Sequence, residues 1–325
     1  MADLVHVLPF QSVSAEAQEA LSKIEFLVGD SATKVKEYDG VVRSLWEVNQ
    51  LYEQFRWNYS ELRRLVPCNR FDFLPDGFTS GGFGERTVVN AAFGNYVSAA
   101  RGLVDRMQAV MREYDRGSEK ELYKDYWKLP SAWYDRGGLY VFMYEIRNPV
   151  QHGQTVVSLA RENGLTRVRF DLDQIADMRD YNTSTKLRSF LSKSISLMKE
   201  QDSSCCPYLC FRYTNMKYQE LVLKLFCHFL DCAEPRIRAA RRDMKKLLSQ
   251  HGKAVGTLGG YSFVAYRDAD MTHVFNKVDV DPVKELKDIR RNAQKHLKDV
   301  QNAVTAERRS IRQRRSHLCC EVLLS

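Results

Sequence analysis

Apolar side chains recur at helical spacing through most of this chain. Two long stretches, Val41 to Val66 and Glu85 to Tyr114, each form one broad apolar stripe, and residues from about Tyr208 to Ser249 repeat the pattern. A shorter stretch of the same kind runs from Ala15 to Val28. Helices that bury one face in this way pack against one another in bundles. The pattern therefore predicts a mainly α-helical protein built on a helical bundle.

Two other stretches alternate apolar and polar side chains, as strands do. Residues 155–172 hold two such runs on either side of Asn163-Gly164, a dipeptide typical of a two-residue hairpin turn. Residues 259–280 show a second possible hairpin. Its strand-like positions are Tyr261, Phe263, Ala265, Val274 and Phe275. We therefore expect one or two β-hairpin insertions in the helical bundle.

The C-terminal part ends in a basic helix that Pro282 begins and that runs to about His317. Its apolar positions are sparse, so it is expected to project from the core or to fray. Residues 201–207 interrupt the helical pattern. The sequence thus predicts a helical domain over 1–200, which includes the hairpin, and a helical C-terminal domain over 207–325.

Composition fits a folded protein with a basic surface. Of the 325 residues, 44% are hydrophobic and 28% are charged, which is enough apolar material to bury a core. A net charge of +8 favours contact with polyanions, although it also serves solubility. One basic helical face is the candidate nucleic-acid surface, and an ordinary solvated face is its alternative. Its members are Arg236, Arg238, Arg241, Arg242, Lys245 and Lys246.

The beginning of the chain has no basic segment followed by a long apolar one, and no uncharged run approaches the roughly 18 residues of a membrane span. We therefore expect a cytoplasmic protein without membrane contact, and eight reduced cysteines. A zinc site around Cys227, His228 and Cys232 is disfavoured, because no paired C-x2-C spacing is present and the stretch is apolar and helical. No metal or other cofactor is expected.

The segment with the most informative chemistry follows a stretch that is apolar on nearly all sides, from about Gly138, and is expected to be a buried helix. It reads Arg147-Asn148-Pro149-Val150-Gln151-His152. An Arg and a His at this spacing occur several times in so basic a chain, and 291–296 repeats even the Arg-Asn pair. That second copy lies in a charged helix with few core positions and is interpreted as coincidence.

The segment resembles the RN-x3-H signature of HEPN domains, helical modules of prokaryotic toxin and defence systems. The resemblance covers the motif and the helices around it, over about residues 41–200. It implies cleavage of RNA without metal by Arg147, Asn148 and His152, in a homodimer that brings two motifs to one cleft. It also implies RNA as the substrate and an antitoxin or regulatory protein as a possible partner.

These residue types suit that reaction. An imidazole with a near-neutral pKa can take the proton of a ribose 2′-hydroxyl or return one to the leaving oxygen. The fork-shaped guanidinium of Arg147 can hold the scissile phosphate, and Asn148 can orient either group. Glu145 and Gln151 are possible auxiliary residues, with Glu145 equally suited to a salt bridge. Pro149 favours the first position of a helix, which predicts Asn148 as its N-cap and free N–H groups for phosphate.

Two functions are therefore open from the sequence. The first is a metal-independent endoribonuclease that works by 2′-hydroxyl attack. The alternative is a non-catalytic helical interaction or regulatory module that binds protein or nucleic acid, in which the same polar residues merely cap a bundle.

Overall fold

The computed structural model describes residues 25–66, 83–116, 121–162, 165–178, 184–201, 206–252, 255–258, 261–267, 273–277 and 281–313. Most of these residues are helical, which confirms the predicted fold class. The helices are α1 (Asp30–Leu65), α2 (Phe83–Asp115), α3 (Leu122–Arg136), α4 (Leu139–Glu145), α5 (Arg147–Gln151), α6 (Leu172–Ala176), α7 (Thr185–Gln201), α8 (Phe211–Gln250) and α9 (Pro282–Gln313). The strands are β1 (Ser158–Glu162), β2 (Leu165–Asp171), β3 (Tyr208–Cys210), β4 (Val255–Leu258), β5 (Tyr261–Arg267) and β6 (His273–Lys277).

The chain forms two compact units, each built from several stretches. The first unit comprises residues 1–49, 116–118 and 230–291, and the second comprises 50–115, 119–229 and 292–325. Helices α1, α8 and α9 therefore contribute residues to both. These units alternate along the chain. The predicted division into a domain over 1–200 and a domain over 207–325 concerns which segments fold by themselves, and it stays a prediction.

The second unit contains the predicted hairpin as part of a three-stranded antiparallel sheet in the order β1-β2-β3. The strand β3 was not predicted, and it pairs with β2 through Phe170 and Leu209. Phe170 is fully buried, and its ring lies 5.2 Å from that of Phe93 and 5.4 Å from that of Phe142. Since Phe93 is on α2 and Phe142 is on α4, this aromatic cluster joins the sheet to two helices. Burial of such rings is a main source of stability.

The first unit contains the second predicted hairpin, β5 and β6, extended by β4 into another antiparallel sheet. Leu27 lies beside β5 and exchanges backbone hydrogen bonds with Ala265 and Arg267, at 3.0 and 2.9 Å. The prediction of a helix over 15–28 is therefore wrong for residues 25–28, where the backbone hydrogen bonds go to a strand. The remainder of that predicted helix lies outside the described residues.

Helix α9 differs from its prediction in how it packs. It begins at Pro282 as expected, but it does not simply project from the core. Its spaced apolar side chains are almost entirely buried. They are Val283, Leu286, Ile289, Ala293, Val300 and Val304. A narrow stripe at helical spacing is enough to hold a helix in place when most of its members are buried.

No helix among the described residues combines the length and the hydropathy that crossing a membrane requires.

Candidate functional site

The motif lies on α5, which follows α4 with only Ile146 between them. Ile146 keeps helical backbone angles, its N–H donates to Phe142 at 3.0 Å, and Val150 N–H donates to Ile146 at 3.4 Å. Pro149 has no N–H to continue the series. The chain therefore passes from α4 to α5 along a nearly continuous helical path.

This path corrects the expected role of Asn148. Helix α5 begins at Arg147, so Asn148 lies inside it and does not cap a helix that starts at Pro149. Because Ile146 is already helical, some of the N–H groups that were expected to attract phosphate, such as that of Val150, form helical hydrogen bonds instead. Binding of an anion here would have to come from side chains.

Most of the polar side chains of the motif are accessible to solvent. Asn148, Gln151 and His152 are exposed, Arg147 is half-buried, and Pro149 is buried. His152 caps the C-terminus of α5, where its N–H donates to the Asn148 carbonyl at 3.1 Å. The imidazole and the guanidinium are therefore not enclosed in the bundle.

The guanidinium of Arg147 is held by a residue of its own helix. With the amide oxygen of Gln151 facing it, that oxygen accepts from Nη2 at 2.9 Å and from Nε at 3.1 Å. Arg147 also lies close to the buried Tyr218, whose hydroxyl pKa is raised by burial against the opposing charges of Arg101 and Arg147. Arg101 and Arg147 thus lower the pKa of this buried tyrosine, while Asp105 raises it.

Glu145 accepts a hydrogen bond from the Tyr134 hydroxyl at 2.7 Å. This bond, together with burial, raises the pKa of Tyr134 to about 12. Lys186 lies 4.3 Å from the centre of the Tyr134 ring and donates to Asp135 at 2.7 Å. Glu145 is thus a half-buried hydrogen-bond acceptor for a tyrosine, and it lies at the end of α4, next to the motif.

Asn90 of α2 fixes the segment that follows the motif. Its Oδ1 accepts from the N–H groups of Val156 and Val157, both at 3.0 Å, and its Nδ2 donates to the Val157 carbonyl at 3.0 Å and to the Arg86 carbonyl at 2.9 Å. Arg86 donates in turn to Thr155 at 3.0 Å. A buried asparagine with all of these partners holds the exit from α5 against α2. Sequence reasoning missed Asn90, since a polar residue in an amphipathic helix gives no sign of distant partners.

Gly94 of α2 allows α5 to approach closely. A Cβ placed on Gly94 would lie 2.8 Å from Cγ1 of Val150, which is closer than carbon atoms pack. The glycine is therefore a spacing residue for the motif helix, and it too gave no signal in the sequence.

We expect Gly94→Ala to destabilise the fold by about 1–3 kcal/mol, because the added methyl group forces the branched side chain of Val150, or α5 itself, to move. The matched control is Gly102→Ala on the same helix, where a Cβ meets nothing within 4 Å. Alanine there should stabilise the helix by about 0.5–1 kcal/mol. Urea unfolding of the two variants measures the difference, and a gain in stability for Gly94→Ala would contradict the close approach.

The six basic residues predicted to contact nucleic acid lie on the part of α8 that belongs to the first unit. Half of them are paired with carboxylates, which weakens their attraction for other anions. The pairs are Arg236 with Glu37, Arg238 with Glu234, and Arg241 with Asp281.

The other three are freer. Arg242 reaches only Asp243, at 3.9 Å, and no carboxylate in the described ranges pairs with Lys245 or Lys246. Four of the basic side chains and Val283 line a cavity of about 210 Å³. The four are Arg238, Arg241, Arg242 and Lys245. Contact of this face with nucleic acid stays a prediction.

His296 is the histidine of the second motif-like segment, 291–296, and its surroundings are those of a residue that packs between helices. It is half-buried, and its Nδ1 lies 3.2 Å from the Tyr52 hydroxyl. Burial lowers the pKa of His296 to about 4, with a further contribution from Arg56 and an opposing one from Asp299. The imidazole is therefore neutral near pH 7, and it belongs to the packing of the helices.

Lowering the pH from 7 to about 4.5 should therefore destabilise the protein through His296. The folded-state pKa lies below the ordinary value of 6.5, so the unfolded chain takes the proton first, and stability present above pH 6.5 is lost as the pH falls toward 4. The variant His296→Gln, which keeps a group able to bond Tyr52, should lose less over the same range. Urea midpoints of both proteins at the two pH values measure this, and equal losses would contradict it.

Comparison with protein-family models, with curated proteins and with solved structures found no significant match.

Proposed function

We propose that this chain is a metal-independent endoribonuclease of the HEPN type, acting in a toxin or defence system. The observation that carries the proposal is the placement of the motif. Asn148 and His152 are exposed and Arg147 is half-buried on a helix that Asn90 and Gly94 hold in position. A side chain that only caps a bundle does not need to be accessible, whereas a catalytic side chain needs to be both accessible and held in position.

The proposed reaction uses these groups in one displacement. The imidazole of His152 takes the proton of a ribose 2′-hydroxyl, whose oxygen attacks the neighbouring phosphorus. The bond from phosphorus to the 5′-oxygen breaks, and a protonated imidazole returns a proton to that oxygen. The products are a 2′,3′-cyclic phosphate and a free 5′-hydroxyl. In the homodimer that we propose, the second copy of His152 supplies this returning proton.

Arg147 keeps capacity for the phosphate even while Gln151 holds it. A guanidinium carries five N–H donors, and the Gln151 oxygen takes two of them. The remaining donors can bind the scissile phosphate and the negative charge that grows on it. Asn148, one residue further along α5, is exposed and can orient the phosphate or the attacking hydroxyl.

A second candidate is a non-catalytic interaction or regulatory module. The observation in its favour is that the polar neighbours of the motif already have partners: Gln151 binds Arg147, and Glu145 binds Tyr134. Such a module would bind protein or nucleic acid through the same surface without cleaving it.

Purified protein incubated with structured RNA in EDTA separates the two candidates. The nuclease should produce fragments with 2′,3′-cyclic phosphate ends, detected by their resistance to ligation until the cyclic phosphate is removed. Intact RNA under these conditions, or cleavage only after magnesium is added, would contradict the proposed mechanism. Expression in bacteria gives a second measurement, because growth arrest by an active nuclease should be relieved by His152→Ala.

A further inference from the structure

Two neighbouring hollows in the second unit form a groove lined by residues of α1, α8 and α9. Their volumes are about 370 and 340 Å³, each within the range of about 300–1,000 Å³ that is usual for small-molecule sites. The hollows adjoin, since five residues line both of them. These are Tyr59, Ser60, Arg63, Arg212 and Met216. We call the two hollows together the arginine groove.

The first hollow has a positive lining. Arg63, Arg64 and Arg212 line it, and none of the described residues that line it is acidic. Arg64 is paired with Glu61 at 2.9 Å, and Arg212 lies 3.5 Å from Glu307. Arg63 is exposed and has no carboxylate partner in the part of the chain that the structure describes. This end of the groove therefore attracts an anion, and a phosphate suits guanidinium groups best.

Asn215 lines the same hollow and lacks a partner for its acceptor. The residue is only 2% exposed, and its Nδ2 donates to the Phe211 carbonyl at 2.7 Å. No donor among the described residues reaches its Oδ1. A buried acceptor left without a hydrogen bond is costly, so a ligand that brings an O–H or N–H group here gains a favourable contact.

The second hollow offers a flat apolar surface and further acceptors. Trp57 lines it and is 63% exposed, the most exposed large hydrophobic side chain among the described residues. Asp299 also lines it, and no basic residue in the described ranges forms an ion pair with that carboxylate. Arg56 and Glu53 are paired with each other at 3.0 Å. This end of the groove therefore suits a ring that carries N–H donors.

We propose that the arginine groove binds a nucleotide unit. The phosphate lies against Arg63 and Arg212, a ribose hydroxyl donates to Asn215, and the base stacks on Trp57 with an amino group toward Asp299. Arg63 and Arg212 line both hollows, whereas Asn215 lines the first and Trp57 and Asp299 line the second, and this placement favours the orientation. The site is made of residues other than Arg147, Asn148 and His152, so it does not depend on the proposed cleavage. The unit can belong to a free nucleotide or to an RNA strand.

Calorimetric titration of the full chain with adenosine 5′-monophosphate, ribose 5-phosphate and inorganic phosphate tests the proposal. The nucleotide should bind more tightly than either of the others. Arg63→Gln should weaken nucleotide binding about tenfold, and Trp57→Leu should remove the advantage of the nucleotide over ribose 5-phosphate, since stacking of one base on an aromatic ring tightens binding by about 5- to 150-fold. Arg43→Gln is the matched control, because Arg43 is another exposed arginine of α1, paired with Asp39 and outside the groove.

A short 2′-O-methyl oligonucleotide, which cannot undergo 2′-hydroxyl attack, distinguishes the two sources of the unit. Binding of the oligonucleotide alone assigns the groove to an RNA strand, and binding of the mononucleotide alone assigns it to a free nucleotide. The proposal is overturned if neither binds, if phosphate binds as well as the nucleotide, or if Arg63→Gln and Trp57→Leu bind like the unaltered chain. None of these measurements uses cleavage, so their failure and the failure of the proposed nuclease remain distinguishable.

Discussion

Replacing His152 with alanine should lower the rate of RNA cleavage by about 10²–10⁴-fold, the usual contribution of a positioned general acid or base. The loss follows from removing the group that we propose to move protons at the 2′-hydroxyl and the 5′-oxygen. Because His152 is exposed and the N–H group that caps α5 belongs to its backbone, the alanine variant should unfold at the same urea concentration as the unaltered chain. Single-turnover cleavage in EDTA, together with urea unfolding, measures both quantities.

The control for this variant is His251→Ala. His251 is a histidine outside the motif, with part of its surface exposed, and its backbone N–H likewise donates to a helical carbonyl, that of Leu247 at 3.0 Å. Its replacement should leave cleavage unchanged. Unimpaired cleavage by His152→Ala would remove the proposed mechanism, and the interaction module would then be the better account of the motif.

Replacing Asn90 with alanine should lower the free energy of unfolding by about 3 kcal/mol. The change removes four hydrogen bonds and leaves the N–H groups of Val156 and Val157 without their acceptor, in a region where both residues are fully buried. A buried polar group that loses its partner costs about 1–3 kcal/mol. Urea denaturation measures the loss. Since Asn90 holds the exit from α5, RNA cleavage should also weaken under conditions where the variant is still folded.

Asn58→Ala provides the comparison. Asn58 has the same exposure as Asn90, 8%, but its amide donates only to the Gln54 carbonyl of its own helix, at 2.8 Å. Loss of that local bond should cost about 1 kcal/mol. If the two variants were equally destabilised, the bonds from Asn90 to the segment after the motif would not have the importance that the geometry gives them.

The regular elements were largely predictable because their periodicity is strong. The apolar stripes that predict helices over 41–66 and 85–114 correspond to α1 and α2, except that α1 ends one residue earlier, and the alternation on either side of Asn163-Gly164 gives the register in which Leu159 pairs with Val168. In each case the signal is local, because it repeats within a single element. The third strand of each sheet was missed, since β3 and β4 have only three and four residues, too few for a pattern.

Other features depend on contacts between distant segments. Helix α3 was not predicted, and it contains Pro130, a residue that usually ends a helical pattern. The start of α5 was misplaced because the preference of Pro149 for a first helical position was outweighed by the continuation of α4 through Ile146. The exposure of His152 and the spacing role of Gly94 are tertiary properties, and no pattern within one helix reports them.

The pairing of Arg147 with Gln151 has a consequence for how tightly an anion can be held. A long side chain that is free in solution loses rotational freedom when it binds, and this entropy cost offsets part of the attraction. The two hydrogen bonds that Arg147 donates to the Gln151 oxygen already restrict the arginine before any phosphate arrives. The guanidinium is thus preorganised by its neighbour one helical turn away, and in the function that we propose the phosphate would meet a fork whose direction is set in advance.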